Sequence, residues 1–201
     1  MGKKTSEKQL ISRATQWFHG QGWEPFPFQK TTWNAFLEGR HGLLNAPTGS
    51  GKTYALWFPI LLQYLREHPN SSETIPGGLK AVWITPLRAL SQEIRKSAER
   101  ITRDLELPFS VGIRTGDTSQ AERARQRKKM PDLLITTPES LQLLLATKEY
   151  AKTFKSCYAM VVDEWHELIG SKRGVQVELA LSRLKNITTN LRIWGISATI
   201  G

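Results

Sequence analysis

Residues 46–53, Ala46-Pro47-Thr48-Gly49-Ser50-Gly51-Lys52-Thr53, join small, conformationally free positions to one ammonium and one hydroxyl, a set suited to gripping a polyphosphate. The glycines let the backbone wrap closely around an anion and aim its N–H groups inward. An apolar run, Gly42-Leu43-Leu44, precedes the loop, and a helical pattern starts near Tyr54. In that strand–loop–helix setting the positive end of the helix dipole adds to the anion site. Lys52 can place its charge on the β- and γ-phosphates, and Thr53 can offer its hydroxyl to Mg²⁺. Thr48, Gly49, Ser50 and Gly51 form the cradle itself. The usual motif opens on Gly; Ala46 is small enough for the same turn.

A second pair of groups, Asp163 and Glu164, follows the apolar run 158–162. Downstream of a phosphate loop, Asp163 is expected to hold Mg²⁺ partly through water, and Glu164 to polarise an attacking water. With Lys52 they make the expected catalytic set. Phosphoryl transfer needs little beyond positioning and charge neutralisation, which suits so sparse an array.

Positioning these groups requires strands that end where the chemistry lies. Apolar runs at 79–85, 109–114, 132–135, 158–162 and 191–196 read as strands. Between them, Leu87, Leu90, Ile94, Ala98, Ile101 and Leu105 recur at helical spacing. Helices are also expected over 6–19, 29–37, 117–130, 141–145 and 175–184. Strand–helix alternation implies an α/β chain with an open, mostly parallel sheet covered on both faces. Ligands of such sheets sit beyond the carboxyl ends of the strands. The segment 23–29 carries Pro25 and Pro27 and is expected to be extended and irregular. Residues 69–78 read as a polar loop. Trp17, Trp33, Trp57 and Trp83 are expected in the core. One domain spanning 1–201 is the simplest organisation, with residues 1–40 as an N-terminal helical region.

Composition narrows the partners. The chain has 201 residues and a formal charge of +10, which favours a polyanion, nucleic acid before anionic membrane. The basic run Arg123, Arg125, Arg127, Lys128 and Lys129 reads equally as a solvated helix face or a nucleic-acid surface. The single cysteine, Cys157, excludes an internal disulfide and a cysteine-based metal site. No apolar run is long enough to span a bilayer, and the first residues lack a signal-peptide segment. A reduced, cytoplasmic setting is expected.

Ser197-Ala198-Thr199 follows the last strand. The order phosphate loop, Asp163-Glu164-Trp165-His166, Ser197-Ala198-Thr199 resembles the first motor domain of superfamily 2 DExH helicases. Phe26-Pro27-Phe28-Gln29 resembles the adenine-reading Q motif. Thr85-Pro86-Leu87-Arg88-Ala89-Leu90, Arg114-Thr115-Gly116-Asp117 and Thr136-Thr137-Pro138-Glu139-Ser140-Leu141 resemble the motifs that grip the nucleic-acid strand. Together they are most similar to the large helicase-related (Lhr) family, in its bacterial branch associated with DNA ligase, although Trp165 stands where a smaller residue is common.

The resemblance implies a RecA-like P-loop NTPase domain that binds ATP and Mg²⁺. It further implies translocation along single-stranded DNA, 3′ to 5′, in DNA repair, with RNA as the alternative track. A non-catalytic nucleotide- or nucleic-acid-binding module is the alternative of another class. Gln29 is implied to read adenine, while Arg88, Thr115, Gly116 and Thr137 are implied to touch the strand. His166, Ser197 and Thr199 are implied to couple the ATP site to a neighbouring domain; a plain surface or capping imidazole is the other reading of His166. A second motor domain has no counterpart here, so the chain is expected to be the N-terminal piece of a longer protein.

Overall fold

The computed structural model describes residues 6–47, 49–69 and 78–198. Thr48 and Thr199 lie outside the described residues, as does most of the expected loop at 69–78. In chain order the elements are α1 (Glu7–Gly20), α2 (Pro27–Leu37), β1 (Gly42–Asn45), α3 (Lys52–Glu67), β2 (Ala81–Ile84), α4 (Arg88–Asp104) and β3 (Val111–Arg114). They continue as α5 (Gln120–Lys128), β4 (Leu133–Thr136), α6 (Pro138–Leu145), α7 (Tyr150–Phe154), β5 (Ala159–Val162), α8 (Lys172–Lys185) and β6 (Arg192–Ser197).

The six strands form one sheet in the order β1-β6-β5-β2-β4-β3, and every pairing is parallel. β2, β4 and β5 read AVWI, LLIT and AMVV and are buried throughout, because parallel strands are covered on both faces. Successive side chains go to opposite faces. Trp83, Ile135 and Val161 join an aromatic-rich core with Trp33, Trp57 and Phe58. Val82, Leu134 and Met160 join a second core with Leu141 of α6 and Leu184 of α8. Trp17, Trp33, Trp57 and Trp83 are all buried.

Several boundaries differ from the pattern-based expectation. β2 is shorter than 79–85, although single bonds continue past it: Lys80 N donates to Asp132 O and Thr85 N to Thr136 O. β3 starts at Val111 rather than 109, because Phe109 N turns back onto Leu107 O. α5 is confined by the Ser119 side chain, which caps Glu122 N and leaves residues 117–118 in a loop. α8 begins before 175, where the Ser171 hydroxyl accepts from Gly174 N. Pro27 does not extend the chain. It occupies the first turn of α2, where a missing N–H costs nothing.

Candidate nucleotide site and strand-end edge

β1 delivers its last residue, Asn45, to the same level as Ser197 of β6. The phosphate loop leaves from that point and returns into α3, with Lys52 and Thr53 in its first turn. Gly49 and Gly51 adopt φ of +79° and +81°, a region that side-chain-bearing residues rarely enter. The loop is closed internally: Ser50 Oγ donates to Pro47 O at 2.6 Å, and Lys52 Nζ donates to Ala46 O at 2.7 Å. The ammonium is therefore held over the loop's own carbonyl.

Gln29 stands 99% buried beneath the loop. Its Oε1 accepts from Phe26 N at 2.8 Å and its Nε2 donates to Gly51 O at 3.1 Å. Two of the four hydrogen-bonding positions of this amide are thus engaged by the protein itself. A cavity beside it is lined by Phe18, Trp23, Phe26, Gly49, Ser50 and Tyr54. Its aromatic walls and amide floor are of a kind that takes a flat heterocycle.

Asp163 lies one residue beyond β5 and is buried. Its Oδ1 accepts from Glu164 N at 2.9 Å, and its Oδ2 from the indole Nε1 of Trp83 at 3.1 Å. Burial pushes its carboxyl above the usual range. The Trp83 hydrogen bond opposes that shift, the Glu164 charge adds to it, and the Glu164 amide and the nearby Lys52 ammonium oppose it. Glu164 holds φ +47°, a costly conformation for a residue with a side chain. Its Oε2 is buried without a hydrogen-bond partner.

The pairing of β5 with β6 ends at Val162–Gly195, and Glu164 and Ser197 each lie two residues past that pair in their own segments. His166 Nδ1 lies 2.9 Å from Ser197 Oγ and 3.4 Å from Glu164 Oε2. Ser197 Oγ also approaches Ala198 O at 2.7 Å, so its single hydrogen serves that carbonyl when His166 Nδ1 carries the proton. Glu164, His166 and Ser197 thus form one linked group across β5 and β6. β6 lies between β1 and β5, an insertion that reading strands in chain order does not supply.

The other half of the edge is built by β2, β4 and β3. Arg88, at the start of α4, donates from Nη1 to Asp117 Oδ1 at 2.9 Å and Oδ2 at 3.1 Å. It crosses Gly116 so closely that a Cβ there would meet Arg88 Nη2 at 2.7 Å. Thr137 caps α6 by accepting from Ser140 N. Thr115 accepts from Asp117 N, and Thr115 O and Gly116 O receive Arg123 Nη2 at 2.8 and 3.3 Å. Arg123 therefore folds the Thr115–Thr118 loop, while Arg125 pairs with Glu122 within α5. Of the basic run, Arg125, Arg127, Lys128 and Lys129 remain exposed.

Lys52, Thr53, Asp163 and Glu164 gather at one end of the sheet, and Arg88, Thr115, Gly116 and Thr137 gather along the rest of the same edge. Residues 26–201 match the DEAD/DEAH box helicase family. The chain belongs to the DEAD/DEAH box helicases. Within that family it is 34% identical over 211 residues to the Lhr helicase/uracil glycosylase of Escherichia coli K12, covering 95% of this chain and 13% of the relative. It is 37% identical over 199 residues to the Lhr helicase/probable uracil glycosylase of Mycolicibacterium smegmatis, covering 92% of this chain and 13% of the relative. The structure of Mycobacterium smegmatis helicase Lhr bound to single-stranded DNA and AMP-PNP superposes with a TM-score of 0.77. That match is 31% identical and covers 98% of this chain and 26% of the other. The chain thus spans about an eighth of the length of these two curated relatives. The RecA-like fold of this helicase domain is shared with that solved structure.

The residues fit a magnesium–triphosphate. Among the described residues no cluster of three or more His, Cys, Asp or Glu forms a ready-made metal cage. The donors are one hydroxyl and one carboxylate, which suits Mg²⁺, an ion that keeps several waters and takes phosphate oxygens. No described helix is long and apolar enough to cross a membrane.

Proposed function

We propose that this chain is the first, ATP-binding motor domain of a helicase that moves along single-stranded DNA and has a second motor domain. The carrying observation is the convergence of Lys52, Thr53, Asp163 and Glu164 at the β1–β6–β5 end of the same edge that presents Arg88, Thr115, Gly116 and Thr137. Likeness to a helicase solved with single-stranded DNA and AMP-PNP supports the same reading.

In this reading the loop amides and Lys52 bind the β- and γ-phosphates. Thr53 and Asp163 hold Mg²⁺, which when bound neutralises phosphate charge. Glu164 orients a water for attack on the terminal phosphoryl group. The aromatic cavity takes the adenine, with the free positions of Gln29 available to its edge. The linked group Glu164–His166–Ser197, with Thr199, passes the state of the phosphate site to the second domain. The strand is gripped through its phosphates, which carry no sequence information. Work in DNA repair, 3′ to 5′ travel and a cytoplasmic location complete the proposal.

The deciding experiment is calorimetric titration of this chain with Mg-ADP, expected to show weak, Mg²⁺-dependent binding that Lys52→Ala abolishes. Unchanged affinity in that variant overturns the site. In the protein with its second motor domain, ATP turnover is expected to respond to single-stranded DNA; stimulation by RNA alone moves the track to RNA.

A further inference from the structure

The sheet stops at β3, and among the described residues no strand pairs with the far edge of β3. The ladder to β4 fixes what that edge presents. Gly112 stands opposite Leu134, and Leu133 N donates to Ser110 O at 3.0 Å. Residues 110, 112 and 114 therefore turn their main-chain groups toward β4, and Val111 and Ile113 turn theirs outward. The Ile113 carbonyl confirms the direction, because it receives Gln126 Nε2 of α5 at 3.0 Å. That bond caps one end of the edge. The N–H and C=O of Val111 and the N–H of Ile113 follow in a row, a template for a further strand.

These residues line a cavity of about 410 Å³ between α4 and α5. Its walls carry mostly one sign of charge. Arg95 of α4 stands on the face to which Val111 and Ile113 project, and Arg125 and Lys129 stand on the face of Gly112 and Pro131. Glu122 is the one carboxylate in this lining, and it pairs with Arg125. Arg95 Nε donates to Glu99 Oε1 at 2.7 Å. Each guanidinium has five N–H donors, so both arginines keep donors for a further acceptor. The positive field also reaches inward: burial, and then the charges of Arg123 and Arg127, hold Arg114 below the ordinary arginine range.

The edge selects the class of occupant. A nucleic-acid backbone offers phosphate oxygens, which cannot serve the Val111 carbonyl. An extended peptide offers donors and acceptors alternately along one side. Its side chains go to opposite faces in turn, so adjacent acidic residues would meet Arg95 on one face and Arg125 with Lys129 on the other. In this sequence Asp163-Glu164 is the single pair of adjacent acids, and it lies at the nucleotide site, so a second copy of the chain does not supply the segment.

We propose that the β3 edge docks an extended, acidic segment of a separate partner protein, which adds a strand beside Val111 and Ile113. The proposal is independent of the nucleotide site and of the nucleic-acid track.

The test uses a short fluorescent peptide, rich in valine, with paired glutamates at its centre. It should bind this chain at low salt and slow hydrogen exchange at the amides of Val111 and Ile113. Lys129→Glu and Arg95→Glu should each weaken it by about tenfold. Lys129→Glu changes an exposed side chain and should leave the Tm in place. N-methylation of the central peptide residues keeps the charge, removes the main-chain donors, and should also cost about tenfold. If the plain and N-methylated peptides bind alike, charge alone acts, no strand is added and the proposal is overturned. Failure of the plain peptide to bind overturns it too, and leaves the basic rim as a guard against unwanted edge pairing. So does an oligo-dT that displaces the peptide and slows the same two amides, which would assign the surface to nucleic acid. If this chain binds the peptide and the longer protein with its second motor domain does not, the occupant belongs to the same chain and the separate partner is overturned.

Discussion

Trp83 Nε1 donates a 3.1 Å hydrogen bond to Asp163 Oδ2, both groups buried and 80 residues apart in sequence. The bond ties the carboxylate proposed for Mg²⁺ to β2, the strand that leads into Thr85 and Arg88. Trp83 is therefore both a core residue and the group that aims Asp163. The indole fixes Oδ2 and the Glu164 amide fixes Oδ1, so both oxygens are oriented, each with a lone pair to spare.

Replacing Trp83 with Phe keeps much of the ring and removes the donor. We expect the Mg²⁺ concentration for half-maximal ADP binding to rise about tenfold, the worth of one hydrogen bond to a charged group. Affinity for ADP without Mg²⁺ should not move. A loss of thermal stability with unchanged Mg²⁺ dependence would reduce Trp83 to packing alone.

Lys52→Ala removes the contact to Ala46 O but no core atom. Stability should fall by no more than about 1 kcal/mol, the net worth of one hydrogen bond. Nucleotide binding should vanish in calorimetry while circular dichroism stays the same.

Gln29→Ala leaves Phe26 N and Gly51 O without their partners. Because that amide is buried, the expected cost is about 1–3 kcal/mol in chemical denaturation. Affinity should fall for both ATP and GTP if Gln29 chiefly holds the loop, and for ATP alone if it chiefly reads adenine. Competition binding with the two nucleotides separates these outcomes.

Ser197→Ala breaks the contact to His166 Nδ1 without touching the phosphate loop. Nucleotide binding by this chain should be retained. In the protein with its second motor domain, strand-stimulated turnover should drop by at least about tenfold if Glu164, His166 and Ser197 act as one group. Equal stimulation in both proteins would return His166 to a capping role.

Cys157 is buried, and burial pushes its thiol up to about 12 from an ordinary value of 9.0. Native protein should resist Ellman's reagent at pH 8 and react only as it unfolds. The sign for stability follows directly. Between about pH 9 and 12 the unfolded chain has lost the thiol proton and the native chain has kept it. Stability should therefore fall as pH rises, by up to about 1.4 kcal/mol per unit from this group. Buried Tyr158 is shifted the same way and adds to the decline.

What the sequence by itself determined is local chemistry. The loop around Lys52 and Thr53, the acids after an apolar run, and the alternation of strand and helix patterns are statements about neighbouring residues, and neighbouring residues suffice to place each group at a strand end. What only the tertiary structure decided is which strand ends meet. β6 inserts between β1 and β5, so Ser197 reaches His166, which also lies against Glu164. Trp83 finds Asp163, and Gln29 turns its amide onto Gly51 rather than outward. Arg123 is drawn into loop carbonyls, while Arg114 at the end of β3 is buried. Parallel strands pair across long stretches of chain, and side-chain partners follow from that order and from packing. Neither is written in the spacing of nearby residues.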